Sequence, residues 1–370
     1  MTGLDGRRVY LDWNATAPLR PEARAAMLAA MDEVGNPSSV HAEGRAAKRI
    51  VETARGQVAR LVECEASNLV FTGGATEGAA WLASIFGSYL ASPLEHDCIV
   101  QNAQDLKGWE IADDGRSRLM AGDVKKFQAV AQASANGETG VLQESDDLHS
   151  FQNEVGVRST IIVRDAVQTI GKVPYNVDGE YALASAHKLG GPKGVGAVAM
   201  REPLEPAAFL KGGGQEEGRR SGTENVIGIA GFGAAAEAAR RDLESGVWLR
   251  VEKLRNILEE RLETAAPDLI IFGREAPRLP NTSCFAIPGW RGETQVMQMD
   301  LAGFAISAGS ACSSGKVNKA SRVLLAMGFD ETTASSAIRV SMGPTTTEAE
   351  VMAFADTWIE QYRKRKARAA

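Results

Sequence analysis

The sequence contains little cysteine, few aromatic residues and no long apolar run. Its four cysteines are scattered over 370 residues, without CxxC spacing or a histidine pairing that suits zinc. We therefore expect no metal site and a reducing, cytoplasmic environment. No run of about eighteen apolar residues occurs, and the N-terminus lacks the basic-then-apolar order of a signal peptide. We expect no contact with membranes.

There is no excess of positive charge, since Lys and Arg total 41 residues and Asp and Glu total 47. The formal net charge is −6, and 44% of residues are hydrophobic, which is typical of a soluble globular protein with a large core. This balance argues against nucleic acid as a partner. The basic run at 363–368 is interpreted as the solvated end of a helix, where positive charge is favourable.

Helical and strand-like segments alternate along the first two thirds of the chain. Amphipathic spacing predicts helices over 20–34, 42–62 and 247–266. Strands are predicted at 68–72, 127–131, 160–163, 182–185 and 337–342. The alternation predicts an α/β domain with a mostly parallel sheet and a ligand site at the strands' carboxyl ends. We expect a large domain over 15–245 and a smaller α+β domain formed by 1–14 and 246–370.

The most informative segment runs from Ser185 to Gly196. An apolar run brings Ser185, His187 and Lys188 into a glycine-rich turn. A lysine amine can form a Schiff base with an aldehyde, and the other two side chains can hold a phosphate. Asp165 ends another strand-like run, and a buried aspartate is the usual partner of the pyridinium nitrogen of pyridoxal phosphate (PLP). These residues predict a covalently held PLP.

Ten short motifs follow one another along nearly the whole chain. They are YLDWNATAP at 10–18, GNPSSVH at 35–41, GATEG at 74–78, EH at 95–96, DAVQ at 165–168, SAHK at 185–188, GGGQE at 212–216, RSGT at 220–223, SACSS at 310–314 and IRVS at 338–341. Together they resemble the class V aminotransferase family of PLP-dependent enzymes, and within it the cysteine desulfurases of the NifS/IscS type. The resemblance implies the PLP-dependent transferase fold of type I, with a large-domain sheet of the seven-stranded type.

The resemblance also implies a role for each matching residue. Lys188 is the Schiff-base lysine and proton shuttle, and His96 lies over the ring face. The remaining cofactor-binding residues are Asp165 at the ring nitrogen, Gln168 at the phenolic oxygen, and Ala75, Thr76, Ser185 and His187 at the phosphate. Thr223 reaches the phosphate from the partner subunit, which implies a homodimer. Arg339 clamps the substrate carboxylate, with Asn14 nearby.

Cys312 stands in a run of small and polar residues, which predicts a mobile loop rather than core. By resemblance its thiolate attacks the sulfur of L-cysteine, leaving L-alanine and a Cys312 persulfide. The persulfide sulfur then passes to an acceptor such as an iron–sulfur scaffold. The other cysteines, Cys64, Cys98 and Cys284, lie in or beside apolar runs and are interpreted as structural.

The sequence departs from the family at Gly137, where relatives carry an asparagine that donates to the phenolic oxygen of PLP. A glycine cannot make that contact, so we expect altered cofactor titration or slower turnover. Alternatives are a selenocysteine lyase, another class V aminotransferase, or a non-catalytic paralogue. A dinucleotide site is a weaker alternative, because residues 231–236 loosely fit GxGxxA.

Overall fold

The computed structural model of the chain describes residues 3–4, 6–87, 89–120, 126–143, 160–177, 180–200, 208–309 and 320–369. The described strands are β1 Val9–Tyr10, β2 Leu69–Thr72, β3 Tyr89–Ala91, β4 Trp109–Ile111, β5 Ser117–Leu119, β6 Ala129–Ala133, β7 Ile161–Asp165, β8 Glu180–Ser185, β9 Gly196–Met200, β10 Ile270–Ile271, β11 Thr282–Ala286, β12 Phe304–Ala305, β13 Ser307–Ala308 and β14 Ala337–Ser341. The described α-helices are α1 Pro21–Met31, α2 Ala42–Val62, α3 Ala75–Phe86, α4 Asp97–Val100, α5 Val226–Ser245, α6 Val247–Ala265, α7 Gly292–Leu301, α8 Arg322–Ala326, α9 Glu331–Ser335 and α10 Glu348–Ala369. Within these ranges, no helix combines the length and apolar character that a membrane crossing requires.

The largest sheet has the strand order β2-β9-β8-β7-β6-β3. The neighbours β3, β6, β7 and β8 pair in parallel, whereas β9 is antiparallel to both β8 and β2. The segment 186–195 joins β8 to β9, and it is shorter than the crossover of about a dozen or more residues that parallel strands need. The prediction of an α/β fold with a mostly parallel sheet is confirmed, and the described residues supply six strands where the predicted type has seven.

Helices cover both faces of this sheet, so its strands are continuously buried. Successive residues face opposite sides of a strand. Ala182 and Ala184 of β8 accordingly pack in one core with α2 and α5. Leu183, between them, packs in another core with α3.

The GxGxxA segment lies inside α5 and serves helix packing, so the dinucleotide interpretation is wrong. A Cβ on Gly233 would lie 2.5 Å from Ala54 Cα of α2. One on Gly231 would lie 2.7 Å from Met27 Cγ of α1. These glycines allow three helices to approach closely. Within the described stretch 208–225, no strand leads into the helix as a phosphate-binding turn requires.

A second, antiparallel sheet has the strand order β10-β11-β14-β13. Helices α6, α7 and α10 pack with it around Phe285, Phe354 and Trp358. The N-terminal segment joins this part of the molecule, because β1 pairs with β12 and Ser341 N–H donates to Leu11 O at 2.8 Å. The division into domains at 14/15 and 245/246 stays a prediction.

Candidate active site

One cavity of about 1030 Å³ lies at the carboxyl ends of the parallel strands. Ten of the twelve predicted site residues line it: Asn14, Ala75, Thr76, His96, Asp165, Gln168, Ser185, His187, Lys188 and Arg339. They come from segments more than 300 residues apart in the chain. The common cavity therefore arises from the sheet topology, which places the ends of β7 and β8 side by side.

Lys188 ends the short 3-10 turn that follows β8. Its Nζ donates to the backbone oxygens of Asn14 at 2.6 Å and Ala15 at 3.0 Å. Gln168 Nε2 donates to the same Asn14 oxygen at 3.0 Å. The N-terminal segment thus holds the lysine and the glutamine at one point of the cavity.

Asp165 is the last residue of β7, and its carboxyl receives the Val167 N–H at 3.0 Å. Burial raises the pKa of Asp165, while that hydrogen bond and the charges of His96 and Lys188 act in the opposite direction. A cation inside the cavity would hold this carboxyl ionised.

The region predicted to hold a phosphate is the start of α3, where Ala75 and Thr76 follow two glycines. No side chain caps this helix, so its first N–H groups remain available for an anion. His187 contributes from the other side, with its Nδ1 3.1 Å from Thr16 Oγ1. Burial, together with the charges of Lys188 and Lys193, lowers the pKa of His187 to about 4. The ring is therefore neutral at pH 7 and can donate to a phosphate.

Two of the three guanidinium nitrogens of Arg339, on β14, have hydrogen-bond partners, and the third has none among the described residues. Its Nη1 donates to Gly137 O at 2.9 Å, and its Nη2 pairs with Asp12 Oδ1 at 2.9 Å. Ser307 Oγ donates to the other oxygen of Asp12 at 2.8 Å. The Nε is buried and has no hydrogen-bond partner among the described residues. A buried N–H without an acceptor is costly, so this arginine suits an anionic ligand.

The side chain of Asn14 is fully occupied by protein. Its Nδ2 donates to Thr282 Oγ1 at 2.9 Å, and its Oδ1 accepts from Asn281 Nδ2 at 3.0 Å. These partners already use both ends of the amide. The predicted position of Asn14 near a substrate carboxylate stays a prediction.

Lys172 is a buried residue of this region that the sequence analysis missed. Its Nζ donates to Gln168 Oε1 at 2.7 Å and to Asn14 Oδ1 at 3.3 Å. Burial and the charges of Lys188 and Arg339 hold its pKa well below the usual range. Its position four residues after Gln168 was the one feature of the sequence that could have indicated a contact between the two side chains.

The cavity is also lined by Glu95, Glu138 and Cys98, which were not predicted as site residues. Burial and the charge of Asp165 raise the pKa of Glu95 to about 8, and its Oε2 lacks a described partner. Burial raises the pKa of Glu138 to about 7, against a hydrogen bond from Ser321. Cys98, interpreted as structural, lines the cavity with its Sγ 3.1 Å from His96 Nδ1.

Two predicted residues are not among those that line the cavity. Thr223 is exposed and lines an adjoining cavity of about 130 Å³, which shares Gly73 and Gly194 with the main one. Cys312 lies outside the described residues. The role predicted for each stays a prediction.

Comparisons with known proteins place the chain in a family. The family model for aminotransferase class-V matches residues 9–354. A cysteine desulfurase of Cereibacter sphaeroides is 39% identical, with 93% of each chain covered. The cysteine desulfurase IscS of Dictyoglomus turgidum is 34% identical, covering 93% of this chain and 92% of its own. The crystal structure of a NifS-like protein from Rickettsia africae superposes with a TM-score of 0.85 at 30% identity, covering 96% of this chain and all of that one. This protein belongs to the class V aminotransferase family.

Proposed function

We propose that this protein is a PLP-dependent cysteine desulfurase, which converts L-cysteine to L-alanine and retains the sulfur as a Cys312 persulfide. One observation carries the proposal: a lysine, a half-buried aspartate and an arginine with an unpaired buried donor among the described residues line one cavity. The relatives named cysteine desulfurase support the choice of reaction.

The residues of the cavity fit PLP. The uncapped start of α3, with Ser185 and neutral His187, suits the phosphate. Asp165 suits the ring nitrogen, because the charge of a pyridinium would offset the cost of burying the carboxylate. Lys188 is the amine that would bond to the PLP aldehyde. When bound, PLP supplies an electron sink for the carbon that carries the substrate amine.

The chain's own residues then bind the substrate and move its protons. Arg339 binds the carboxylate of L-cysteine, using the Nε that has no described protein partner. Lys188 removes the proton from Cα and returns one. The Cys312 thiolate attacks the substrate sulfur, so that an S–S bond forms and the Cβ–S bond breaks. Cβ keeps the electron pair, takes a proton and becomes the methyl group of alanine.

The proposal extends to the surroundings of the site. The sulfur acceptor is an iron–sulfur scaffold or another acceptor protein, and the reaction takes place in the cytoplasm. The enzyme is a homodimer in which Thr223 reaches the PLP phosphate of the partner subunit. The exposure of Thr223 beside the main cavity supports this arrangement. The small domain carries the segment with Cys312.

The test is a stoichiometric assay. Purified protein is incubated with L-cysteine and a reductant, and both alanine and sulfide are measured for wild type, Cys312→Ala and the control Cys64→Ala. We expect equal amounts of alanine and sulfide from wild type and control. The Cys312 variant should keep its cofactor absorbance and lose both products.

Other outcomes would change the assignment. Transamination without sulfide would indicate another class V aminotransferase, and alanine formed only from selenocysteine would indicate a lyase for that amino acid. A protein that takes up no PLP would contradict the proposal and favour a non-catalytic paralogue.

A further inference from the structure

Cys98 contacts His96 through both its backbone and its side chain. The Cys98 N–H donates to His96 Nδ1 at 3.2 Å, and the Cys98 Sγ lies 3.1 Å from the same nitrogen. Both residues line the cavity that contains Lys188 and Arg339. The thiol is therefore part of the wall of the candidate active site.

The direction of these hydrogen bonds follows from the chemistry of the groups. A backbone N–H can only donate, and a neutral imidazole has one N–H and one accepting nitrogen. Because the Cys98 N–H is aimed at Nδ1, this nitrogen is the acceptor and the ring proton is on Nε2. The Cys98 thiol, which shares this acceptor, donates its S–H. Two donors from one residue thus converge on one ring nitrogen.

An independent observation indicates that this cavity binds a ligand. Arg339 is only 4% exposed, and its buried Nε has no partner among the described residues. Such a donor lacks an acceptor, and because the guanidinium is positively charged, the carboxylate of an amino acid is a suitable one. His96 and Cys98 therefore border a ligand site rather than a closed core.

The charges around His96 act in both directions. Asp165, at the end of β7, attracts positive charge on the ring. From α8, Arg322 pairs with Asp97 at 3.4 Å and donates to Glu95 O, which brings its own positive charge close to His96. Lys188 adds a second positive charge from the end of β8. The contact between Cys98 and Nδ1 favours the neutral ring, because a hydrogen-bond donor at that nitrogen excludes a proton there.

We propose that Cys98 is a positioning residue for His96: its two donors hold the imidazole neutral, with the proton on Nε2. His96 then acts on the substrate as a neutral ring that donates from Nε2, rather than as a cation. This inference rests on the proposed desulfurase function, which gives His96 a substrate to act on. The role falls to Cys98 because its position on α4 directs both donors at the same atom.

Nuclear magnetic resonance of the holoenzyme, with nitrogen-15 in the histidine rings, tests the proposal directly. The chain has four histidines, and a His96→Gln variant identifies the signals of His96. We expect the Nε2–H tautomer of a neutral ring in the wild type at about pH 7. In Cys98→Ala, loss of the thiol donor should move the titration midpoint of His96 upwards by about half to one pH unit.

Two variants serve as controls. Cys98→Ser keeps a side-chain donor and should leave the midpoint close to that of wild type. Cys64→Ala removes a half-buried thiol that is not among the cavity residues and should change nothing. The acidic limb of the kcat/KM profile for L-cysteine should shift with the midpoint, whereas a merely structural role of Cys98 would lower the melting temperature without moving this limb.

The proposal would be overturned by an Nδ1–H tautomer in the wild type, or by equal titrations of wild type and Cys98→Ala. These results are distinct from a failure of the proposed function. If the proposed function failed, wild-type protein would form no alanine and sulfide from L-cysteine, while the tautomer of His96 could still be measured.

Discussion

At the residue scale, Arg339 is oriented by protein contacts that leave one of its nitrogens without a partner among the described residues. Two of its nitrogens are held by Asp12 and the Gly137 carbonyl, which fix the guanidinium in place. The unpaired Nε then carries the binding of a substrate carboxylate. The orientation of the arginine depends on Asp12, which is itself held by Ser307.

We expect Asp12→Ala to raise the KM for L-cysteine about tenfold, with a smaller change in kcat. Without the carboxylate, Arg339 loses the ion pair that orients it for the substrate. Steady-state kinetics measure the effect. Asp300→Asn, which removes an exposed ion pair with Arg8, is the matched control. Equal KM values for Asp12→Ala and wild type would contradict this role of Asp12.

Gly137 lines the cavity beside Gln168 and has room for a side chain. A Cβ there would lie 3.8 Å from Gln168 Cγ and Nε2, an ordinary contact distance. We expect Gly137→Asn to fold normally and to lower the pH at which the cofactor absorbance titrates, because an amide donor stabilises an ionised phenolic oxygen. Absorbance titrations of wild type, Gly137→Asn and the control Gly56→Asn check this. An unchanged titration would show that the missing amide has no effect on the cofactor.

At the scale of elements, the close contact of α2 and α5 depends on Gly233. A Cβ at this position would lie 2.5 Å from Ala54 Cα, and backbone cannot move aside as a flexible side chain can. Gly56, also on α2, has only the end of the Arg60 side chain at 3.5 Å. A side chain is therefore excluded at Gly233 by helix packing, whereas Gly56 has room for one.

We expect Gly233→Ala to destabilise the fold by about 1–3 kcal/mol through overpacking. Gly56→Ala should instead stabilise it by up to about 1 kcal/mol, because alanine has the higher helix propensity. Thermal or urea unfolding of the two variants measures the predicted loss and the predicted gain in the free energy of unfolding. A neutral Gly233→Ala variant would indicate that α2 and α5 can separate at little cost.

The sequence predicted elements best where the pattern itself marks the ends. The amphipathic helix predicted over 42–62 is α2, Ala42–Val62. The strand predicted over 127–131 is β6, Ala129–Ala133, which begins and ends two residues later. The residues of this segment do not mark where strand pairing begins. The helix predicted to start at 20 and end at 34 ends at Met31, three residues short.

The site was predictable where strand ends carry polar residues, as at Asp165 and Lys188. Lys172, Glu138 and Cys98 were missed for a physical reason. Glu138 and Cys98 line the cavity, and Lys172 contacts the lining residue Gln168, because turns and short helices fold back over the sheet. Local patterns contain no information about that path.

At the scale of the whole molecule, buried carboxyl groups link stability to pH. Glu95 has a folded pKa of about 8, and an exposed glutamate in the unfolded chain titrates near about 4.5. The folded state therefore binds more protons between these values, and stability falls as pH rises through this window. His187 has the opposite effect, because its pKa is lowered to about 4 in the folded state, and this effect is nearly complete by about pH 7.5.

We expect Glu95→Gln to lose less stability than wild type between about pH 6.5 and pH 8, because the amide has no proton to release. Urea unfolding at several pH values, compared between the two proteins, isolates this carboxyl from Lys172 and other groups. Glu331→Gln, at the exposed start of α9, is the control. Parallel pH dependences for wild type and Glu95→Gln would contradict the buried protonated form.

The backbone oxygen of Asn14 accepts hydrogen bonds from both Lys188 and Gln168. The segment that carries it is anchored by strands near the other end of the chain, through Phe304 of β12 and Ser341 of β14. A ribosome therefore synthesises Asn14 long before the two strands that anchor its segment. Contacts this distant in sequence are slow to form. Lys188 acquires its final surroundings only after β12 and β14 have been synthesised, so capture of the cofactor must wait for strands that follow the lysine by more than a hundred residues.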